Sequence, residues 1–437
     1  MEKAAGRTQF LAYFARVSEN QELRQAVWFY AAHISSYILP LLTFTYLARV
    51  MGPADWGRLS VFHSLGLYGS QIVEYGFGFT AARDVARERD DPEGRASTLA
   101  EVHAAKILLS CVVIGGAALL YPFLPPIMRS PLLYPLAVAY ALAQGSSMVW
   151  YFQGTGRLGE LAKVDAVSRS VAAIVTVLAV RSPEDGWWMI ALNAVACFAT
   201  TGVGLLMIGR DTTIGIAGVR SAVETLRTAF PLFVFRGAAS LYGAANGFIL
   251  GFFAVPASVG YYSGAERAYK GFTALLHPLM QLMYARVNHS VGRKQGFDDV
   301  SWQTARMSGA MMVAAGGLLG LTCLVTAPLA VSILLGPGYE PAVRVLRVFG
   351  LVLVVESISI ALGIQWMLPL GMDKPFTVIS VAAGLTNVVL AYWLAPTHGE
   401  TGMVLAVLAS HFTAAAGCFV YLRLRGLDPF RQTGERR

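Results

Sequence analysis

Ser263-Gly264-Ala265-Glu266-Arg267-Ala268-Tyr269-Lys270 lies in the middle of a stretch, Phe230 to Arg286, that is apolar enough to cross a membrane twice and yet carries charge. Arg236 adds a fourth charged group in its first half. An ionised side chain at the centre of a membrane helix costs roughly 2.5–3.5 kcal/mol on insertion scales, so such residues face a bundle interior or a water-filled cavity. The stretch therefore predicts a polar pathway inside an apolar protein. At about 100° per residue, Glu266, Lys270, Thr273, His277, Gln281 and Tyr284 fall within an arc of about 80°, one polar stripe along the second helix.

An earlier hairpin echoes this one. Gly52-Pro53-Ala54-Asp55-Trp56-Gly57-Arg58-Leu59-Ser60 aligns without gaps on Val255-Pro256-Ala257-Ser258-Val259-Gly260-Tyr261-Tyr262-Ser263, an offset of 203 residues. Carried through both hairpins, the offset pairs His33 with Arg236, His63 with Glu266 and Glu74 with His277. Ser60, His63, Ser64, Gln71, Glu74 and Gly78 form the counterpart stripe, within about 100° of arc. Each of these residues alone reads as a helix-packing hydrogen bonder; together on matched faces they predict a two-fold pseudosymmetric cavity. A second match, Trp150 on Trp366 and Gly186 on Gly402 at an offset of 216, extends the duplication to two six-helix halves. Since six is even, the halves run parallel about an axis along the membrane normal, with a site expected between them.

Of the 437 residues 55% are hydrophobic and 14% charged, and the mean hydropathy is +0.55, outside the range of soluble globular domains. Crossing ~30 Å of hydrocarbon takes about 20 helical residues. Twelve runs meet that length: 26–50, 57–80, 99–122, 132–152, 163–180, 187–209, 229–253, 257–284, 307–335, 343–368, 375–395 and 402–422. The expected fold is an all-α polytopic membrane protein with this organisation: a cytoplasmic amphipathic segment 1–25, a six-helix bundle 26–209, a linker 210–228, a second bundle 229–422 and a basic tail 423–437. The net charge of +8 speaks to topology rather than to nucleic acid. With both termini on one side, 23 Lys and Arg lie on that side and four (Arg49, Arg58, Arg129, Arg181) on the other, so both termini are expected in the cytoplasm. Seven more, Lys106, Arg169, Arg236, Arg267, Lys270, Arg344 and Arg347, fall within spans; the last two are read as snorkelling to the interface.

Cys111, Cys197, Cys323 and Cys418 show no CxxC spacing, so neither a disulfide framework nor a metal site is expected. Residues 1–25 lack the apolar core of a signal peptide. The turn at Gly52-Pro53 puts Trp56 where an interfacial anchor is expected. Ala81 to Asp91 alternates in sign and reads as a solvated helical loop laced with i,i+4 pairs. Gly154-Thr155-Gly156-Arg157-Leu158-Gly159 spells GxGxxG but follows a membrane helix, not a strand, so no dinucleotide site is inferred. Gly243, Gly247 and Gly251 read as close helix packing.

The Arg49 to Gly57 turn, Glu74-Tyr75-Gly76-Phe77-Gly78 to Arg83 with its loop, Trp150-Tyr151-Phe152-Gln153-Gly154, Leu335-Gly336-Pro337-Gly338-Tyr339-Glu340-Pro341-Ala342 and Leu368-Pro369-Leu370-Gly371 together resemble the bacterial polysaccharide flippases of the multidrug and oligosaccharidyl-lipid exporter superfamily. The likeness runs nearly the whole chain and departs at Ala285-Arg286-Val287, where relatives commonly carry a proline. It implies a transporter of the bacterial inner membrane, not an enzyme and without cofactor. Its cargo would be a polyprenyl-pyrophosphate-linked oligosaccharide, flipped from the cytoplasmic to the periplasmic leaflet by alternating access. Partners would be membrane lipid and, in some settings, polysaccharide assembly proteins, with Na+ or H+ as the coupling ion left open. Such cargo needs cations for its phosphates and a hydrated surface for its sugars. Arg236, Arg267 and Lys270 are the expected phosphate contacts, with Lys106 and Arg169 as further candidates; His33, His63, Glu74, Glu266 and His277 are the expected polar or coupling groups. Tyr242, Tyr261, Tyr262 and Tyr269 would contact sugars. Two competitors stand beside this reading. One is an ion-coupled drug exporter of the same fold, with Glu74 and Glu266 holding the ion. The other is a membrane enzyme of polysaccharide assembly, disfavoured because the chain has neither a large non-cytoplasmic loop nor a DxD-type metal motif; with no HExxH, nucleophile elbow or P-loop, coupling to ATP hydrolysis is not expected either.

The charge division generates a test. Asp90→Cys in a cysteine-free background should resist an impermeant maleimide added to intact spheroplasts and react once the membrane is opened; labelling of intact spheroplasts overturns the orientation.

Overall fold

The computed structural model of the chain describes residues 21–241, 246–291 and 299–427, with side chains described for 39–234, 246–291 and 301–427. Every regular element among them is helical. In chain order they are α1 Gln21–Glu74, α2 Thr80–Arg87, α3 Pro92–Leu120, α4 Leu133–Gly145, α5 Val149–Gly154, α6 Leu158–Ala179, α7 Trp187–Ile208, α8 Val219–Leu241, α9 Asn246–Leu250, α10 Pro256–Ala274, α11 Leu276–Val291, α12 Asp299–Leu334, α13 Glu340–Ser359 continuing as a π-helical turn Ile360–Met367, and α14 Asp373–Leu424. The protein is an all-α polytopic membrane protein, and each of the twelve apolar runs coincides with one or two of these helices. Among the described residues five continuous helices are long and apolar enough on their own to cross a membrane, Pro92–Phe123, Pro183–Ile208, Ser301–Leu334, Glu340–Met367 and Asp373–Leu424. The last is long enough to cross twice because it turns at Gly399, whose φ of 53° is open to glycine.

The local reasons for these breaks are readable. α1 folds back at Gly52, at φ 71° and ψ 175°, and Pro53 restarts the helix where its missing N–H costs nothing. Asp91 caps α3, its carboxylate accepting from the Glu93 N–H, with Pro92 in the first turn. The eighth span breaks between α10 and α11 because Pro278 cannot donate to the Ala274 carbonyl four residues earlier. Its polar stripe is thereby cut after His277.

The helices pack as two lobes, and the hairpin of α1 meets α10 across the seam between them. That contact is isologous. A Cβ on Gly57 would stand 1.8 Å from the Pro256 carbonyl oxygen, and one on Gly260 would stand 1.9 Å from that of Pro53. The 203-residue offset carries one contact onto the other, Gly57 onto Gly260 and Pro53 onto Pro256, and relates Ser60 to Ser263, whose hydroxyls hydrogen-bond at 3.1 Å. The sequence repeat thus meets itself across the pseudo-two-fold. Around it the Tyr339 hydroxyl donates to the Ala48 carbonyl at 3.1 Å, and Arg49 donates to the carbonyls of Ser332 and Ile333. At the opposite end Tyr75 stacks on Phe233, ring centroids 4.3 Å apart, beside Gly76. Gly247 and Gly251 lie against Ser64 and Val61 of α1, in keeping with close packing.

Two expectations are corrected. Trp56 is not an interfacial anchor: it is fully buried, its ring 5.0 Å from Phe44, because the seam closes over it. The Ala81 to Asp91 loop carries no i,i+4 ion pair among the described residues. Asp84 pairs instead with Arg83 at 3.3 Å and Arg87 at 3.9 Å, and Glu88 accepts from the Thr98 hydroxyl. The other face of α2 (Ala81, Ala82, Val85) is buried against α5, where a Cβ on Gly154 would strike the Ala82 carbonyl at 2.6 Å.

The seam is testable. In a Cys111→Ser background, Ser60→Cys with Ser263→Cys should form an intramolecular disulfide on mild oxidation, since the two hydroxyls already touch, and Gly260→Val should abolish it. Absence of cross-linking at normal membrane abundance overturns the contact.

Candidate functional site

The polar residues of the spans collect along the seam, and each lobe supplies one set. In the second lobe Glu266 and Lys270, one turn apart on α10, form an ion pair at 3.2 Å with half of the Lys270 side chain exposed. They line a cavity of about 310 Å³ with Thr273, His277, Glu356 and His411. Tyr269 donates to the Glu356 carboxylate at 2.7 Å. Buried Asn387 donates to buried Asn246 at 2.7 Å, tying α14 to α9. Four members of the polar stripe, Glu266, Lys270, Thr273 and His277, thus share one cavity.

In the first lobe Arg169 of α6 donates to Asp165 at 2.8 Å and to Gln144 of α4 at 3.1 Å, and Cys197 of α7 donates to the same Gln144 oxygen at 3.0 Å. His63 stacks on Tyr140 of α4, ring centroids 5.4 Å apart. Arg267 joins the lobes. Its guanidinium lies 3.2 Å from His63 Nδ1 and 5.8 and 5.7 Å from the ring centroids of Phe44 and Trp56. Two aromatic faces and a neutral imidazole acceptor give a cation most of what water would. Planar Arg suits this slot, whereas Lys would lose the ring contacts.

Two of the expected residues are engaged by the backbone. Lys106 is buried, and its ammonium donates to the carbonyls of Gly145 and Ser147, both at 2.8 Å. These are the last carbonyls of α4 and the turn beyond it, where a cation is favoured by the helix dipole. Glu74 accepts from the N–H groups of Gly76 and Gly78 at 3.1 and 2.9 Å, closing the turn after α1. The 203-offset pair His63 and Glu266 is not a contact; the partner of His63 is the next residue, Arg267. Tyr262 and Tyr269 line the cavity, but Tyr261 packs edge-on against Tyr339 at the end of the bundle and faces away from it. The side chains of His33 and Arg236, and all of Tyr242, lie outside the described residues.

Tyr140, Gln144, Asp165, Asn246, Glu356, Asn387 and His411 join these networks without being among the residues that the sequence marks for the site. Their common signal is a polar group in an apolar run; all but Asn246 lie on helices outside the two matched hairpins, and Asn246 aligns at the 203-residue offset on Thr43, which does not titrate.

A family model described as polysaccharide biosynthesis protein matches residues 23–283. A protein of Escherichia coli (strain K12) named "Putative O-antigen transporter" is 28% identical over 422 residues, covering 92% of this chain and 96% of that protein. A protein of the same name from Shigella dysenteriae is 22% identical over 386 residues, covering 87% and 94%. Among solved structures, an inward-facing multidrug resistance MATE family transporter of the MOP superfamily superposes with a TM-score of 0.69 at 14% identity, covering 89% of this chain and 93% of that one. The lipid II flippase MurJ in an inward closed conformation gives 0.69 at 13% identity, covering 90% and 87%. These two share the fold.

Lys106 generates a prediction of its own. Lys106→Met leaves two buried carbonyls without their donor, a cost of roughly 1–3 kcal/mol for each group so orphaned. The expected result is a lower melting temperature in detergent and reduced membrane abundance, whereas Lys270→Ala leaves both unchanged; unaltered stability of Lys106→Met overturns the assignment.

Proposed function

The chain belongs to the polysaccharide biosynthesis protein family, and from that premise we propose that it flips a polyprenyl-pyrophosphate-linked oligosaccharide across the bacterial inner membrane by alternating access. The observation that carries the reading is the cationic seam: Arg169 from the first lobe, Arg267 between the lobes and Lys270 in the cavity of the second. A pyrophosphate carries charge that hydrocarbon does not accept, and guanidinium and ammonium groups along the seam meet it with charge-assisted hydrogen bonds. Lys270 is the most accessible of the three and among the described residues pairs only with Glu266 on its own helix. An arriving phosphate competes with that carboxylate for the ammonium. Arg236 joins them as a proposed phosphate contact by its place in the same apolar stretch. The sugars lie along the polar walls while the polyprenyl tail stays in lipid.

The backbone contacts at Gly57 and Gly260 close one end of the pathway. By the distribution of Arg and Lys that end faces the periplasm, with both termini in the cytoplasm. The boundaries of the lobes, 26–209 and 229–422, belong to the same proposal. The relatives are named as transporters, in keeping with a chain that moves its cargo without altering it. The drug-exporter alternative needs Glu74 and Glu266 together to hold a coupling ion, and Glu74 already accepts from the N–H groups of Gly76 and Gly78.

The test is surface polysaccharide export in a strain lacking the native gene, normalised to protein in the membrane. Losing one charge-assisted contact removes ~1.5–3 kcal/mol, so Lys270→Ala should cut export about tenfold or more while Lys270→Arg largely keeps it. Arg267→Lys should fall between Arg267 and Arg267→Ala because it holds the charge but not the stacking. Glu266→Gln should be mild. Normal export at normal abundance by the Arg236, Arg267 and Lys270 triple-alanine variant overturns the phosphate assignment.

A further inference from the structure

A second cavity, of about 620 Å³, opens on the loops at the sealed end of the first lobe, away from the seam cations. Three connections build it. Asp55 and Arg58 project from the first turn after the Gly52 bend, Ser130 sits at the start of the turn into α4, and Ser182, Glu184 and Trp187 come from the turn into α7. The walls are rigid for stated reasons. The Asp185 carboxylate accepts from the N–H groups of Arg181 and Ser182 and from the Ser182 hydroxyl, which closes this turn. Gly186 lets this turn come against Met51, since a Cβ there would stand 2.4 Å from the Met51 methyl group. The Ser130 hydroxyl accepts from the Leu133 N–H at 3.2 Å. Trp187 stacks on Trp188 at 4.2 Å, which fixes its indole.

The charged groups of the cavity are unspent. Among the described residues no ion pair or hydrogen bond engages the side chains of Asp55, Arg58 or Glu184, although the surrounding turns satisfy their own polar groups. Two carboxylates and one guanidinium leave the lining net negative, which disfavours an anion, and among the described residues no group of three or more His, Cys, Asp or Glu side chains comes together to hold a metal ion. Acceptors, donors and hydroxyls around one indole instead match a neutral polyol, whose vicinal hydroxyls bridge such groups and whose C–H face lies on an aromatic ring. The volume is that of a small-molecule site, with a few polar groups fixing orientation.

We propose that this cavity is a saccharide-binding site on the sealed face of the first lobe, holding one or two sugar rings of the oligosaccharide after its phosphate has left the seam. Asp55 is two residues from Pro53, whose carbonyl forms the seam contact with Gly260, so opening of the lobes moves one wall of the site. The proposal deepens the flippase reading and takes from it the identity of the sugar.

The probe is oligosaccharide released by mild acid from the host's own lipid-linked pool, free of phosphate and lipid, titrated against the whole protein in nanodiscs by saturation-transfer NMR. Saturable binding is expected. It should weaken at least about tenfold in Trp187→Ala and in Asp55→Asn with Glu184→Gln, the scale of one or two lost hydrogen bonds to charged groups, and stay within about twofold in Lys270→Ala. The Asp55→Asn, Glu184→Gln variant alters only exposed side chains, so it carries the test if Trp187→Ala does not accumulate. Binding lost in Lys270→Ala and kept in both cavity variants, or no saturable binding at all, overturns the proposal. Where the wild-type chain restores export yet binds no free oligosaccharide, the cavity proposal alone fails; where binding follows the cavity residues but the chain does not restore export, the flippase reading alone fails.

Discussion

The architecture depends on two carbonyl oxygens lying where side chains would otherwise stand. Pro256 and Pro53 present their carbonyls to Gly57 and Gly260, and each clearance is less than the contact distance of a methyl group. No driving force of the ordinary hydrophobic kind joins helices inside lipid, so close backbone approach through small residues supplies the van der Waals contact that does. The contact is made twice by the same motif about one axis, and Trp56, Tyr262 and Tyr339 are sealed around it. Any state in which the lobes part at this end must open both copies together.

The same seam explains where the charges are. A cation within the spans of a membrane protein needs either an anion, a set of carbonyls or aromatic faces, and this chain uses all three. Lys270 has Glu266, Lys106 has the carbonyls of Gly145 and Ser147, and Arg267 has Phe44, Trp56 and His63. These solutions differ in how readily they yield to a ligand. Carbonyls at a helix end are fixed and leave Lys106 structural. A partner one turn away on an exposed helix face is exchangeable, which makes Lys270 the cation best placed to change partners. Arg267 is intermediate, since its aromatic faces belong to one lobe and its backbone to the other, so its environment changes whenever the lobes separate.

The sequence alone determined that this is an all-α membrane protein of two repeated halves, because both properties are written along the chain: twenty-residue apolar runs follow from bilayer thickness, and a gapless repeat is visible without knowing what it touches. It also marked the α10 stripe, since Glu266, Lys270, Thr273 and His277 share a face by helical periodicity alone. Only the tertiary structure decided what each charge does. The offset that paired His63 with Glu266 is a statement about equivalence, whereas contact across a two-fold joins residues near the axis, and there the residue reaching His63 is Arg267. Trp56 reads as an interfacial anchor until a second lobe covers it. Lys106 and Glu74 read as pathway residues until the ends of α4 and α1 claim them. Asp165, Gln144 and Tyr140 become part of the site through helices that have no local reason to meet. One-dimensional patterns report which face of a helix is polar, and the partner across that face is set by packing between segments far apart in the chain.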